Sequence, residues 1–368
     1  MKKIAISNQI EKEVTLREQM KKFLIKGCYG FNSILSIGLG KRLGIFDYLY
    51  EKAKTSSSSS AISSIEFTIE ELIEKFSYDS KYIDAWVHLA LECGIFEIDN
   101  NNKRTLKTAP HVYTLLIDHD NIFYIGDTIG YFYYLAPMQT FIVDMFKTGK
   151  NVSNFYDIPE EIIIDSHKSS GRWGELVERL FSSYFKDFSR FLKKQGTILA
   201  VGCGYGFNIV KWAKKYKKAR FVGIDIDSKA ITYAKNLIEQ HNWSERIEVF
   251  DIPINDYAKK TEDKYDLIIL NHVLHEMNHD EDYRRNVFND LYSLLKDDGI
   301  LLVGETMISD IFAPKRERQL FDVMHKFFEA GFARFYDKKS FKDFIDSTPF
   351  TKAEFIKKSG EYFWAVQK

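Results

Sequence analysis

The sequence predicts an α/β protein in which a mostly α-helical N-terminal half precedes a parallel β-sheet. Three observations carry this prediction. Apolar residues recur at helical spacing before about residue 190, short apolar runs alternate with helical stretches after it, and a glycine-rich turn follows the first of those runs. A chain of 368 residues is long enough for two cores. We therefore expect two domains, residues 1–190 and 191–368.

The C-terminal half contains five apolar runs that indicate strands: TILAVG, RFVGID, RIEVFD, YDLIILN and GILLVGET. Strands separated by helices form βαβ units, and these units build a parallel sheet. Continuous apolar character is typical of strands that are covered on both faces. The expected fold is a doubly wound, Rossmann-like sheet that begins after the predicted helix WGELVERLFSSYFKDFSRFLKK.

The N-terminal half contains a segment, residues 61–110, with the order helix, turn, longer helix and two short strands, which is typical of a winged helix. A low-complexity stretch, TSSSSSAISS, is predicted to be a loop before it. The segment holds nine acidic and only five basic residues. Duplex DNA binding depends on Lys and Arg that displace counterions. We therefore expect no nucleic-acid partner and instead a role in dimerisation or in covering the substrate.

Composition excludes several classes of protein. Lys+Arg and Asp+Glu are both 52, which argues against a large polyanionic partner. Three cysteines without a CxxC pattern support neither a disulfide framework nor a structural zinc site. The first residues lack the apolar run of a secretory signal, and no run of about 18 apolar residues occurs. We expect a cytoplasmic protein without a membrane partner.

A cofactor site is predicted at the run ILAVGCGYG, where a strand leads into a glycine turn and then a helix. Gly202, Gly204 and Gly206 allow a tight turn and a close approach of the backbone to a ligand. The second strand ends at Asp225, 19 residues after Gly206. An acid there can accept hydrogen bonds from ribose hydroxyls. The combination predicts a nucleoside-binding site, and the compact loop favours a ligand without a pyrophosphate.

At these residues the chain resembles the class I S-adenosylmethionine-dependent methyltransferases. The resemblance implies that S-adenosylmethionine is the cofactor and that Asp251, at the end of the third strand, faces its adenine amino group. Asn271, at the end of the fourth strand, is expected to line the same pocket. One position departs from the family pattern: Ala200 stands where the family carries an acid that helps to hold the methionine amino group.

The resemblance extends from about Ile34 to the end of the chain and becomes more specific. The stretches LGKRLGIFDYL, DMFKTGKN and VLHEMNHDED are similar to those of the caffeic-acid-type and bacterial polyketide O-methyltransferases. These enzymes carry a winged-helix-like N-terminal domain before a methyltransferase sheet. The resemblance implies a homodimer, a small-molecule acceptor and a terminal β-hairpin formed by FTKAEFIKKSGEYFWAVQK.

The stretch NHVLHEMNHDED leaves three roles open for His275. It could be a general base, a structural or substrate-contacting residue, or a metal ligand together with His279 four positions later. Metal binding by His275 and His279 requires both side chains on one face of a helix. Asn278 is instead expected to cap a helix that begins at about 279, with acidic residues in its first turn. We therefore expect no metal site, and we expect His272 to be a packed histidine.

The family resemblance favours the general base. LHEM matches the family's Leu-His-Asp-Trp, in which the histidine is the base, so His275 is implied to take the proton of a phenol with a pKa of about 10. Glu305, after the fifth strand, is implied to orient His275, although it could also be an ordinary strand-end acid. Two regions are expected to line the acceptor pocket. Their candidate residues are Tyr131, Phe132, Tyr133, Met138 and Phe141, and Phe321, Met324, His325 and Phe328.

The resulting hypothesis is methyl transfer from S-adenosylmethionine to a hydroxyl, phenolic in kind, of a small secondary metabolite. Three alternatives stay open at this point. The enzyme could methylate nitrogen, carbon or a protein, it could bind the cofactor without transferring a methyl group, or the chain could be a DNA-binding regulator.

Overall fold

The computed structural model describes residues 15–56, 64–99, 102, 104–121, 123–149, 158–308, 324–327, 333–358 and 361–368. The chain divides into two compact units, Met1–Ile129 and Gly130–Lys368. The low-complexity stretch predicted as a loop lies almost entirely outside the described residues. Among the described residues, no helix is both long enough and apolar enough to cross a membrane.

The first unit combines helices with a small antiparallel sheet. Its helices are α1 (Leu16–Met20), α2 (Gly27–Arg42), α3 (Ile45–Ser56), α4 (Ile69–Phe76) and α5 (Ser80–Glu92), with π-helical segments at Lys21–Lys26 and Tyr113–Ile117. Its strands are β1 (Glu66–Phe67), β2 (Phe96–Ile98) and β3 (Leu106–Thr108), in the order β1-β3-β2. The predicted helix, turn, longer helix and two strands are confirmed, and β1 adds a third strand.

Capping residues fix where these helices begin. The Thr68 hydroxyl accepts a hydrogen bond from the Glu71 amide at the start of α4, and the Asp79 carboxylate accepts two from the first turn of α5. Ser77, with φ of 53°, ends α4 in the left-handed conformation. The turn between the two helices is therefore encoded locally.

The second unit contains the large sheet and the helices that cover it. The helices are α6 (Gly126–Thr148), which begins in the first unit, α7 (Glu160–Tyr184), α8 (Lys186–Gln195), α9 (Phe207–Lys215), α10 (Ser228–Gln240), α11 (Ile254–Lys260), α12 (Glu281–Leu294) and α13 (Lys338–Asp346). The strands are β4 (Thr197–Val201), β5 (Arg220–Asp225), β6 (Ile247–Asp251), β7 (Tyr265–Asn271), β8 (Leu295–Gly304), β9 (Lys352–Lys358) and β10 (Glu361–Gln367). All five predicted strands are confirmed.

The predicted helix before the sheet is in fact two helices, because α7 ends at Tyr184 and α8 begins at Lys186. The sheet starts at Thr197, close to the predicted change of pattern. The division into compact units falls earlier, at Ile129, since α7 packs against α9 and β10 of the sheet. The domain ranges 1–190 and 191–368 stay a prediction.

The strand order of the large sheet is β6-β5-β4-β7-β8-β10-β9. The first five strands are parallel, and β10 pairs antiparallel with both β8 and β9, which confirms the predicted terminal hairpin. The order reverses between β4 and β7, so a crevice forms at the carboxyl ends of these two strands. All five parallel strands end at this edge, and the predicted catalytic and cofactor-binding residues lie at or just after their carboxyl ends.

Alternate residues of the buried strands contact two separate cores. Ile198 and Ala200 of β4 belong to the core beneath α7 and α9, whereas Leu199 and Val201 belong to the core beneath α12 and α13. The four side chains are at most 5% exposed. This two-sided burial is the physical reason for the unbroken apolar runs that predicted the sheet.

Candidate active site

The glycine loop after β4 requires its glycines. Gly202, Gly204 and Gly206 all lie in the left-handed region, with φ of 65°, 50° and 80°. A Cβ on Gly202 would lie 2.4 Å from a methyl group of Val273, and one on Gly206 would lie 3.0 Å from Ala234. A side chain is therefore disfavoured by conformation at both positions, and at Gly202 it would also collide with Val273.

Asp225, at the end of β5, is tied to this loop. Its Oδ2 atom accepts a hydrogen bond of 2.7 Å from the Gly204 amide, and its Oδ1 atom accepts one of 2.9 Å from the Asp227 amide. The side chain remains partly exposed at the edge of the sheet. A carboxylate has lone pairs beyond these two bonds, so Asp225 can also accept from a ligand's hydroxyls.

Asp251 lies next to Asp225, because the two residues are register partners at the ends of β6 and β5. Its Oδ2 atom accepts a hydrogen bond from the Ser228 hydroxyl. The side chain is exposed. Both predicted cofactor-binding acids thus stand side by side beyond the glycine loop.

The ends of β7 and β8 bring further predicted residues to the same edge. Asn271 pairs in register with Gly304, and the His272 amide donates to the Gly304 carbonyl over 2.8 Å. The Asn271 Oδ1 atom is buried and has no hydrogen-bond partner among the described residues. A Cβ on Gly304 would lie 2.6 Å from this oxygen, so glycine at position 304 leaves room for the Asn271 side chain. His272 packs on Trp173, with ring centroids 5.5 Å apart, and is a packed histidine as predicted.

His275 and Glu305 form a buried pair. The His275 Nδ1 atom lies 2.7 Å from Glu305 Oε1, and the His275 amide donates to Glu305 Oε2 over 3.2 Å. The Thr306 amide also donates to Oε1, over 2.8 Å. Each of the two side chains is 1% exposed. The carboxylate therefore contacts both the ring and the backbone of the histidine.

Electrostatics keep Glu305 ionised. Burial raises the pKa of its carboxyl group, but the charge and hydrogen bond of His275 outweigh burial and lower that pKa to about 2. An ionised carboxylate accepts a hydrogen bond from an N–H group, so Nδ1 carries a proton, and in the neutral form of the ring the lone pair is on Nε2. This tautomer is the one that a general base needs at Nε2.

Aromatic rings surround His275. Phe335 stacks on its ring at 5.1 Å with an interplanar angle of 8°, and His325 meets it edge-on at 4.6 Å. The Thr306 hydroxyl lies 3.4 Å from Nδ1 of His325. Sequence reasoning assigned His325 only to a pocket region, and the structure brings it into contact with His275.

The segment after His275 corrects the predicted helix start. α12 begins at Glu281 with Asp280 as its cap, whereas Asn278 was expected to be the cap. The reason is local: the Asn278 side chain accepts a hydrogen bond from the Asp280 amide, which leaves the Asp280 carboxylate to accept from Tyr283. Since His275 precedes the helix, the i, i+4 spacing with His279 does not place them on one helix face.

Two arginines that the sequence did not single out hold this segment. Arg284 is fully buried and donates from Nε to the Asn278 carbonyl and from Nη2 to the Met277 carbonyl, each over 2.9 Å. Arg334 donates its amide to the His275 carbonyl over 2.8 Å and its side chain to the His279 carbonyl over 2.9 Å. The backbone around His275 is therefore fixed from both sides.

No group of three or more His, Cys, Asp or Glu residues suited to a metal occurs among the residues that the structure describes. Cys203, inside the glycine loop, is buried, and burial raises the pKa of its thiol, which keeps the thiol protonated at neutral pH.

The remaining acceptor-pocket candidates are only partly described. Tyr131 and Phe132 contact each other edge-on with centroids 6.4 Å apart, and Met324 is half-buried. The other candidates lie outside the residues whose side chains are described: Tyr133, Met138, Phe141, Phe321 and Phe328.

The site fits S-adenosylmethionine. Three left-handed glycines leave a backbone surface without side chains, two acids follow β5 and β6, and the orphaned Asn271 oxygen is an acceptor for an amino or hydroxyl group. Ala200, the departure from the family pattern, is 4% exposed. His167 is a residue that sequence reasoning missed: a Cβ on Gly204 would lie 3.4 Å from its Nδ1 atom.

Comparisons with known proteins agree with this geometry. A family model described as a methyltransferase domain matches residues 192–341. Two curated tRNA1(Val) (adenine(37)-N6)-methyltransferases, from Flavobacterium psychrophilum and Flavobacterium johnsoniae, are 25% and 26% identical to this chain over 142 residues. The alignment covers 36% of this chain and 59% of each relative, so the chain spans little more than half of these enzymes.

Solved structures share the fold over nearly the whole chain. The mitomycin 7-O-methyltransferase MmcR has a TM-score of 0.63 at 15% identity and covers 96% of this chain and 98% of its own. Human N-acetylserotonin methyltransferase in complex with S-adenosylmethionine has a TM-score of 0.64 at 15% identity, covering 95% and 98%. The pyocyanin biosynthetic protein PhzM has a TM-score of 0.64 at 16% identity, covering 95% and 99%.

Proposed function

We propose that this chain, which matches a methyltransferase domain over residues 192–341 and has the fold of the bacterial O-methyltransferases, is a class I S-adenosylmethionine-dependent methyltransferase that methylates a hydroxyl oxygen of a small acceptor. The acceptor is a secondary metabolite, and the hydroxyl is phenolic. The observation that carries this proposal is the buried pair of His275 and Glu305 at the carboxyl ends of β7 and β8.

The cofactor would lie along the glycine loop. Gly202, Gly204 and Gly206 would let the backbone approach it, and Asp225 would accept hydrogen bonds from its ribose. Asp251 would accept a hydrogen bond from its adenine amino group, and Asn271 would line the same pocket. When bound, S-adenosylmethionine supplies a methyl group on a positively charged sulfur, from which an oxygen nucleophile displaces it.

The role we propose for His275 is general base. Its Nε2 atom takes the proton of the acceptor hydroxyl as the new carbon–oxygen bond forms, which contributes on the order of 10²–10⁴ in rate. Glu305 holds the ring in the required tautomer and stabilises the imidazolium that forms. Burial of both side chains excludes water, which strengthens their interaction.

A second candidate function is methylation of an adenine amino group in tRNA, because the curated relatives carry that activity by name. An amine attacks without a strong base, so His275 would then only shape the pocket. A tRNA acceptor requires a basic surface that binds phosphates. The chain has equal numbers of basic and acidic residues, which favours the small acceptor.

The test uses S-adenosylmethionine labelled in the methyl group. Purified protein is incubated with a panel of phenols and, separately, with unmodified tRNA, and transfer is followed by radioactivity and mass. We expect labelled phenol product, and we expect His275→Ala to lower kcat by about 10²–10⁴ while cofactor affinity is unchanged. His279→Ala, the same change at an exposed position of the same segment, is the control.

Other results would contradict the proposal. Labelled tRNA without labelled phenol would favour the second candidate, as would full activity of His275→Ala on the true acceptor. If the protein binds the cofactor but forms no S-adenosylhomocysteine with any acceptor, it is a binding protein that does not transfer methyl groups.

We also propose that the protein is a homodimer. Seven large apolar side chains between Leu16 and Phe31 are 45–88% exposed. Apolar surface of this extent is unfavourable in water and is typical of an interface. The residues are Leu16, Met20, Phe23, Leu24, Ile25, Tyr29 and Phe31.

A further inference from the structure

The starting point is one face of α7. His167, Gly171 and Gly174 are separated by four and three residues, so they lie on the same face of the helix. A Cβ on Gly171 would be 2.7 Å from the Cβ of Phe207, and one on Gly174 would be 2.0 Å from the side-chain oxygen of Asn208. The backbone of α7 therefore lies directly against the first turn of α9, at a distance that only glycine permits.

The same face continues at Glu178, one turn further along α7. Its carboxylate accepts hydrogen bonds from the Lys215 ammonium group and, over 2.9 Å, from the Tyr216 hydroxyl. The glycines and this buried cluster hold α7 against α9 over its length. The register of the two helices is thus fixed, and with it the position of His167.

This packing places His167 at the glycine loop. Its Nδ1 atom is 3.4 Å from the position that a Cβ on Gly204 would occupy, and its ring lies 4.4 Å from that of Tyr205. The ring is half-buried, so part of its surface remains accessible. Burial lowers the pKa of His167 to about 4, against a weaker opposite effect of Asp227, so the ring is neutral at physiological pH.

Ala200 stands at the position where the family carries its acid, and its methyl group is no hydrogen-bond acceptor. Ala200 is 4% exposed and lines a narrow crevice whose walls are mostly apolar. Its apolar neighbours there are Ile209, Trp212, Phe221 and Ile269. The methionine end of the cofactor carries an ammonium group, which requires an acceptor. Because Ala200 has no side-chain acceptor, the acceptor has to come from another residue.

We propose that His167 binds the amino-acid end of S-adenosylmethionine and accepts a hydrogen bond from its α-ammonium group, in place of the carboxylate that is absent at position 200. A neutral imidazole has one nitrogen with a free lone pair, which is sufficient for this bond. Contact with Tyr205 restricts the ring. The proposal rests on S-adenosylmethionine being the cofactor, and it adds a binding residue 37 positions before Gly204.

The test compares two ligands that differ in the whole amino-acid end. S-Adenosylhomocysteine carries the amino-acid end, whereas 5′-methylthioadenosine keeps the nucleoside and the thioether but lacks that end. Both are titrated calorimetrically into wild type, His167→Phe and His167→Gln. Phe keeps an aromatic ring without an acceptor, and Gln keeps an acceptor without the ring.

We expect His167→Phe to weaken S-adenosylhomocysteine binding by about ten- to a hundredfold, the usual loss for a hydrogen bond to a charged group. Binding of 5′-methylthioadenosine should change by less than about twofold, and His167→Gln should retain most of the affinity for S-adenosylhomocysteine. His241→Phe, at the opposite end of α10 from the loop, is the matched control and should bind as wild type.

Three results would overturn the proposal. Equal losses for the two ligands would indicate that His167 only supports the loop. Equal affinities of His167→Phe and His167→Gln for S-adenosylhomocysteine would exclude a role as acceptor. No binding of S-adenosylhomocysteine to the wild type would instead refute the cofactor assignment itself, which distinguishes that failure from the other two.

Discussion

The Nδ1 atom of His275 lies 2.7 Å from Oε1 of Glu305, and both side chains are buried at the carboxyl ends of neighbouring parallel strands. The same carboxylate also accepts from the amides of His275 and Thr306. A carboxylate held by three donors has little freedom to rotate. It therefore fixes the orientation of the imidazole as well as its tautomer.

The first prediction concerns this carboxylate. Glu305→Gln keeps the shape of the side chain but removes its charge, so the imidazolium is no longer stabilised and the ring can adopt the wrong tautomer. We expect kcat to fall by about ten- to a hundredfold, with an unchanged dissociation constant for S-adenosylhomocysteine. Steady-state rates and calorimetry measure the two effects. Glu239→Gln, at the end of α10 remote from the site, is the control, and an unchanged kcat of Glu305→Gln would contradict the proposed role.

A second prediction separates two glycines of the loop. Gly202→Ala combines a left-handed backbone with a collision against Val273, whereas a Cβ on Gly204 meets only the His167 ring at 3.4 Å. A left-handed L-residue costs about 1–2 kcal/mol, so Gly204→Ala should fold and lose mainly cofactor affinity. The free energy of unfolding of Gly202→Ala should fall by more than about 1–2 kcal/mol, because the collision with Val273 adds to the backbone cost. Denaturant titration measures the free energy of unfolding of the two variants. A smaller loss for Gly202→Ala than for Gly204→Ala would show that the Val273 side chain can move aside at little cost.

The third prediction is a pH dependence. The pKa of His167 is about 4 in the folded protein against an ordinary 6.5, so the unfolded chain binds more protons between these values. Its contribution to stability is complete above the ordinary pKa and is lost as the pH falls towards 4. Between about pH 7 and about pH 5, the free energy of unfolding of wild type should fall by about 1–2 kcal/mol more than that of His167→Phe. Identical losses in denaturant titrations would show that the ring is not protonated on unfolding.

A fourth prediction concerns Arg284, the buried residue that holds the carbonyl groups of Met277 and Asn278. Arg284→Met fills similar space but leaves both carbonyls without their donor, at roughly 1–3 kcal/mol each. We expect a lower free energy of unfolding and a lower kcat, because the backbone after His275 loosens. Arg285→Met, at the exposed neighbouring position with ion pairs to Glu281 and Asp282, should change stability by less than about 1 kcal/mol.

The fifth prediction tests the proposed dimer. Phe23 and Leu24 are 68% and 56% exposed, and replacing both with Glu places charge in the proposed interface. Light scattering should give the molar mass of a dimer for wild type and that of a monomer for the double variant. The helical content of the two proteins should be the same. Tyr82→Glu introduces a charge at another exposed apolar side chain, 78% exposed on α5, and should leave the dimer intact. A monomeric wild type at micromolar concentration would refute the proposal.

The sequence alone determined the features that depend on near neighbours in the chain. The unbroken apolar runs predicted the buried parallel strands, and the glycine pattern predicted a turn whose residues do adopt left-handed conformations. Asp225 could be assigned because the carboxyl ends of parallel strands share one edge of a sheet. The helix start after His275 was missed by two residues, since Asn278 and Asp280 are both good caps and a single hydrogen bond between them decides the choice.

Only the tertiary structure decided the contacts between residues far apart in sequence. Glu305 is 30 residues from His275, and only the pairing of β7 with β8 brings their atoms within hydrogen-bond distance. His167 gives no recognisable signal in its own segment, because its place at the glycine loop depends on Gly171 and Gly174 allowing α7 to contact α9. Local sequence fixes backbone conformation and burial through short-range sterics and periodicity. The meeting of distant side chains depends instead on helix packing and strand order, which the pattern of any one segment does not contain.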